Sequence, residues 1–211
     1  MFKLFLLSLF VTTPIVADFK SDISPITPKI KKRMQGKSWT KGCPVSISEL
    51  RYVKLTYKDF KYADRQGELI VHKSVSSDVV EIFKALYQKS YPIRKMKLVS
   101  SYKGSDWKSI EADNTSAYNC RNVGGTNRWS KHSYGKAIDI NPIENPYVFS
   151  SGKISHKASY KYRSRAKQKN LKPDNQAIIL KNSDIVKIFK KYGWKWGGNF
   201  RGEKDYQHFA K

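Results

Sequence analysis

Between residues 50 and 101 the apolar positions come in short runs separated by polar clusters. Leu50-Arg51-Tyr52-Val53-Lys54-Leu55-Thr56-Tyr57 mixes β-branched and aromatic residues and predicts a strand; Glu68-Leu69-Ile70-Val71-His72 predicts a second. From Val79 to Lys89 the period lengthens. Val80, Ile82, Phe83, Leu86 and Tyr87 then share one helical face, with Ser77 or Asp78 as a cap and Tyr91-Pro92 as the stop. Lys95 to Ser101 and Ala137 to Asn141 read as further strands. In the latter, Ile138 and Ile140 face one side, and Ala137, Asp139 and Asn141 the other. Asp184 to Tyr192 predicts a short helix striped by Ile185, Ile188 and Phe189, and Trp194–Gly198 and Tyr206–Ala210 predict closing strands. Short strands with two helices in mixed order predict an α+β domain: a small mixed or antiparallel sheet with flanking helices.

The remaining segments lack such periodicity. Residues 18–42 carry seven Lys or Arg against two Asp, with Pro25 and Pro28, and read as a basic, flexible lead. The globular domain is expected over 43–211. Residues 102–136 form a long polar stretch rich in Gly, Ser, Asn and Thr, and a connection that long is usually functional. Residues 145–173 hold eight Lys or Arg and no acid, and are expected as an exposed basic insertion. Within it, Tyr160 and Tyr162 between basic residues resemble a stacking surface for nucleic acid or glycan; a solvated loop has the same pattern.

Charge narrows the partners. Lys plus Arg is 41 against 17 Asp plus Glu in 211 residues, a formal +24, which suits nucleic acid, an anionic membrane or a bacterial wall. The first seventeen residues choose among these. A basic start at Lys3, an apolar run from Leu4 to Val11 and a small residue at Ala17 follow the grammar of a secretory signal peptide. The run is too short for a spanning helix, and no later segment is long enough either. Export to the periplasm or beyond makes nucleic acid a poor partner and favours the cell wall. The two cysteines, Cys43 and Cys120, could pair in such a compartment, but their spacing leaves the pairing open.

Candidate chemistry gathers in two places. Ser130-Lys131-His132-Ser133-Tyr134-Gly135-Lys136-Ala137-Ile138-Asp139 runs from a loop into a strand, where an Asp beside apolar neighbours needs a partner. Asp205-Tyr206-Gln207-His208-Phe209 sets a carboxylate three residues before a histidine. His132, Asp139 and His208 together make two nitrogens and one oxygen, an acceptable three-ligand catalytic zinc set; packed polar residues give the same pattern by chance. His72 and His156 call for no special role.

The first motif resembles the S-x-H-x-x-G-x-A-x-D signature of the zinc D-Ala-D-Ala carboxypeptidase family, which includes vancomycin-resistance dipeptidases and L-alanyl-D-glutamate endopeptidases. Trp194-Lys195-Trp196-Gly197-Gly198 with Asp205-Tyr206-Gln207-His208-Phe209 resembles its W-x-W-G-G…D-x-x-H-F ending. The similarity extends through Asn114 to Arg121 and, more loosely, from about Leu50 onward. The resemblance implies a hedgehog-like fold with zinc on the sheet, held by His132, Asp139 and His208. It implies Asp205 as general base, Arg121 as the guanidinium that grips a substrate carboxylate or polarises the scissile carbonyl, and Ser116 near the substrate. It implies peptidoglycan stem peptides as substrate, cut at D-Ala bonds. Cleavage between L-alanine and D-glutamate is the close alternative, and a non-catalytic wall-binding module the more distant one.

Overall fold

The computed structural model describes residues 18–165 and 172–211; the expected signal peptide at 1–17 lies outside the described residues. The first unit is a three-stranded antiparallel sheet. Strands β1 (Ser21–Pro25), β2 (Leu50–Lys58) and β3 (Asp64–His72) lie in the order β1-β2-β3, with Leu50 opposite His72 and Ser21 opposite Leu55.

Both faces of this sheet are covered, which explains why β2 reads as a nearly continuous apolar run. Val53, Leu55, Tyr57, Leu69 and Val71 pack beneath the long helix Ser76–Gln88. Leu50, Tyr52 and Ile70, one residue out of phase, point to the opposite face and pack with Ile30 and Met34 of the short helix Pro28–Met34. The short helix is α1 and the long one α2. Residues 18–42, expected to be a flexible lead, are therefore a strand and a helix docked on the sheet. Pro28 opens α1 and Thr27 caps it, while Arg33 pairs with Glu68 of β3. The basic residues of the segment cover its outer side, so its composition hid the buried pair Ile30 and Met34.

The second unit carries β4 (Ala137–Asp139), β6 (Lys195–Trp196) and β8 (His208–Ala210) in the antiparallel order β4-β8-β6. Beside it, β5 (Tyr147–Val148) pairs with β7 (Lys204–Asp205). Helix α3 spans Asp106–Glu111, α4 Pro173–Gln176 and α5 Asp184–Lys191. Phe189 of α5 stacks on Phe209 of β8 with ring centroids 3.9 Å apart, and both rings are buried. The elements are those of an α+β chain with small antiparallel sheets.

Two further expectations change. Lys95–Ser101 is not a strand: Lys97 gives its N–H to Asn114 Oδ1 and its carbonyl accepts from Asn114 Nδ2, so a side chain takes the place of a ladder partner. The chain then closes into a 3-10 turn at Val99–Tyr102. The insertion 145–173 is not simply exposed either, as far as it falls within the described residues. Ile154, His156, Ser159 and Tyr162 are buried, and the guanidinium of Arg165 donates to the carbonyls of Glu144 and Ile179 and to Asn145 Oδ1. Burial pushes the Arg165 pKa down to about 10, yet its fork satisfies carbonyls that no strand reaches. Of the two tyrosines read as a stacking pair, only Tyr160 is exposed; the Tyr162 hydroxyl donates to Asp174 at 3.2 Å.

Candidate metal centre

The site is built on one cross-strand pair. In the β4–β8 register Asp139 stands directly opposite His208, which places the two side chains side by side. Asp139 Oδ1 and His208 Nδ1 are 2.9 Å apart. His132 comes from the 3-10 turn Lys131–Tyr134 that precedes β4. Ser130 caps that turn by accepting from His132 N–H, and Gly135 ends it in the left-handed region at φ 66°. A side chain at Gly135 would strike the backbone nitrogen of His72, which instead donates to the Gly135 carbonyl at 2.9 Å. The turn is thereby latched to the end of β3. Gly197 serves similarly beneath the site, where a Cβ would lie 2.5 Å from the Asp205 carbonyl oxygen.

The three residues are buried, at 4%, 6% and 9% exposure for His132, Asp139 and His208. One donor atom from each lies within 4.8 Å of the others. His132 Nδ1 is 2.6 Å from the carbonyl oxygen of Ala117, so that nitrogen holds the proton and Nε2 presents its lone pair inward. The lone pair faces Asp139 Oδ2 at 3.2 Å and His208 Nδ1 at 3.2 Å. Two electron-rich groups turned on each other in a buried site call for a shared positive charge. Two imidazoles and a carboxylate suit zinc or a similar divalent ion, and three protein donors leave a position for water or substrate. Burial opposes ionisation of Asp139, but the two histidines outweigh it and hold its carboxyl well below the usual range. Burial likewise opposes a charged His208, and the Asp139 hydrogen bond and field outweigh it, raising the imidazole pKa.

Asp205 sits on β7, held in place by pairing with Tyr147 of β5. Its Oδ1 is shielded from solvent and has no hydrogen-bond partner among the described residues. Burial raises its pKa to about 6 and the Asp139 carboxylate adds to that, while the charge of His208 and a hydrogen bond from Gln207 act the other way. A carboxyl near neutrality, with one oxygen uncommitted, is suited to accepting and returning a proton.

Residues 124–211 match the D-alanyl-D-alanine carboxypeptidase family. The match bears out the resemblance carried by the two motifs and supports a peptidase, a hydrolase, of a family whose members are typically metal-dependent. It takes in His132, Asp139, Asp205 and His208 and covers less than half of the 211-residue chain. No curated protein and no solved structure matches the chain.

Ser116 and Arg121 lie before the segment that matches the carboxypeptidase family. Ser116 is buried beside the centre, exchanging backbone hydrogen bonds with Asp139. Arg121 is partly exposed; its backbone N–H donates to Ser133 Oγ, and one guanidinium nitrogen lies 2.8 Å from Asp106. Its positive charge is close enough to act on His208. The Asn141 side chain accepts from the Arg94 N–H and donates to the Pro92 carbonyl, so it does not orient a ligand histidine. The orienting acceptor is the backbone of Ala117, which no residue pattern could reveal. Asp106 also escaped the sequence reading, because a lone acid in a polar stretch carries no signal. Cys43 and Cys120 form a disulfide with Cα atoms 5.9 Å apart, tying the residue next to Arg121 to the segment after α1.

Proposed function

We propose that this protein is an exported zinc metallopeptidase that hydrolyses peptidoglycan stem peptides at D-Ala bonds, as a D,D-carboxypeptidase or D,D-endopeptidase. The observation that carries the reading is the convergence of His132, Asp139 and His208 beside a carboxyl, Asp205, whose pKa burial lifts to about 6. Its main support from outside the geometry is the carboxypeptidase family match.

Held by His132, Asp139 and His208, zinc would supply a Lewis acid that polarises a peptide carbonyl and makes water more acidic. Asp205 takes a proton at its free carboxylate oxygen and returns it to the departing amine. The Ala117 carbonyl keeps His132 in the tautomer that binds through Nε2. Arg121 offers a guanidinium to a substrate carboxylate or to charge developing on the carbonyl oxygen. The apolar strand faces below, with Phe209 and Ile138 fully buried, keep the three donors from spreading. The basic surface supports a wall location; among the described residues no helix is long and apolar enough to cross a membrane.

A second reading is cleavage between L-alanine and D-glutamate. It is favoured by one feature of the resemblance: some relatives carry glutamate where Asp205 stands, and an aspartate there is usual in the endopeptidase branch. Digestion of purified peptidoglycan with zinc-loaded protein, beside a chelated control, separates the two. Loss of terminal D-Ala, or conversion of crosslinked dimers to monomers, is expected. Glycan left carrying L-alanine ends, with released peptides that begin at D-glutamate, would move the assignment to the second bond. No metal-dependent product from any wall type would overturn the peptidase reading.

A further inference from the structure

Trp107, the second residue of α3, is half exposed at 52% although it is the largest kind of apolar side chain. It is not loose. Its ring packs on the imidazole of His156 with centroids 3.9 Å apart and planes 31° from parallel. His156 is itself buried and held at both nitrogens: Nδ1 is 2.9 Å from Ser155 Oγ, and Nε2 is 3.3 Å from the carbonyl of Trp107. The insertion thus clamps both the backbone and one face of the indole. The indole is half exposed despite this clamp, so apolar surface is held ready at little entropic cost to a ligand.

The platform adjoins the candidate metal centre. The preceding residue, Asp106, pairs with Arg121, and the charge of Arg121 is felt at His208. Arg121 also begins an excursion that returns at Ser130, and a bridge between Asn122 and Trp129 holds a second exposed indole on it. Arg128 and Lys131 stand exposed around it. Rigid aromatic faces beside a carboxylate–guanidinium pair are what a pyranose ring needs. Its C–H face lies on the indole, and its hydroxyls bond to the polar pair. The formal +24 suits the carboxylates carried by wall stem peptides.

We infer that Trp107, backed by His156, is a stacking platform for a sugar ring of the wall glycan. The protein then works on stem peptides still attached to their sugar rather than on free peptides. The inference rests on the peptidase reading above and adds the substrate's glycan part to it.

The test uses glycan strands freed of stem peptides by an amidase, with zinc-loaded full-length protein, and reads co-sedimentation and tryptophan fluorescence. Wild type is expected to bind, Trp107→Ala to bind about fivefold or more weakly, and Trp107→Phe to keep most of the affinity. Equal binding by wild type and Trp107→Ala overturns the platform. So does wild-type protein that ignores glycan but binds single-stranded oligo(dT). Metal-dependent cleavage of intact peptidoglycan is scored in parallel. Cleavage without glycan binding overturns the platform alone, whereas glycan binding lost in Trp107→Ala but without any cleavage supports the platform and overturns the peptidase reading.

Discussion

Arg121 and Asp106 form an ion pair, 2.8 Å between guanidinium nitrogen and carboxylate oxygen, at the edge of the candidate metal centre. The two side chains are about one-third exposed, so the pair adds little to stability, in the range of 0–1 kcal/mol. Its consequence is orientation. One end of the guanidinium fork is held by Asp106 and another nitrogen donates to the Asn122 carbonyl, which limits how the group turns toward substrate.

Replacing Arg121 with Ala is expected to lower kcat/KM on a carboxylate-terminated stem peptide by about 10–100-fold, consistent with about 1.5–3 kcal/mol for a charge-assisted contact. Asp106→Asn should lose less, mostly through KM, with the melting temperature unchanged. In the double variant the two losses should not add, because Asp106 acts only through Arg121. Additive losses in steady-state kinetics would separate the two residues.

Asp205 and His208 should divide cleanly in a metal assay. Asp205→Ala is expected to keep one equivalent of zinc by elemental analysis while turnover falls about 10²–10⁴-fold. His208→Ala or Asp139→Asn should lose the metal itself. Chelation of the wild type should lower its melting temperature, and added zinc should restore it, because metal binding favours the folded state alone. Full turnover in Asp205→Ala would remove it from the proton-transfer role.

Glu144 predicts a pH effect on stability. It is 1% exposed; burial first, and the neighbouring Asp113 carboxylate second, raise its pKa to about 9 against the ordinary 4.5. The folded chain therefore keeps a proton that the unfolded chain has already lost, so stability falls as pH rises from about 4.5 to about 9. Glu144→Gln removes that slope. It should stabilise the protein by about 1–3 kcal/mol at pH 8 and by nothing measurable at pH 4, read from denaturant unfolding at both pH values.

The disulfide joins positions 77 residues apart, and closing so long a loop restricts the unfolded chain substantially. Reduction, or the Cys43→Ser/Cys120→Ser variant, is expected to cost about 2–5 kcal/mol in denaturant unfolding. It should also raise KM, because Cys120 immediately precedes Arg121. An unchanged unfolding midpoint under reducing conditions would show that the cross-link bears no load.

Much of the centre could be read from the chain itself. The approach of His132 to Asp139 is set by a capped turn and a short strand within eight residues, and Asp205 and His208 lie within four, so local spacing carries them. Strand β2, helix α2 and helix α5 were legible for the same reason: each writes its own period into its own residues. Tertiary structure alone decided the rest. That Asp139 stands opposite His208 depends on a β-register between segments 69 residues apart. The tautomer of His132 depends on a backbone carbonyl that looks the same for every residue type. The docking of α1 rests on only two buried side chains, Ile30 and Met34, amid lysines. Asp106 and His156 take their meaning from Arg121 and Trp107, and Arg165 from carbonyls at Glu144 and Ile179. A periodic pattern reports which face of a segment is buried, but not what buries it, because burial energy is non-directional while hydrogen bonds and ion pairs need a named partner in space.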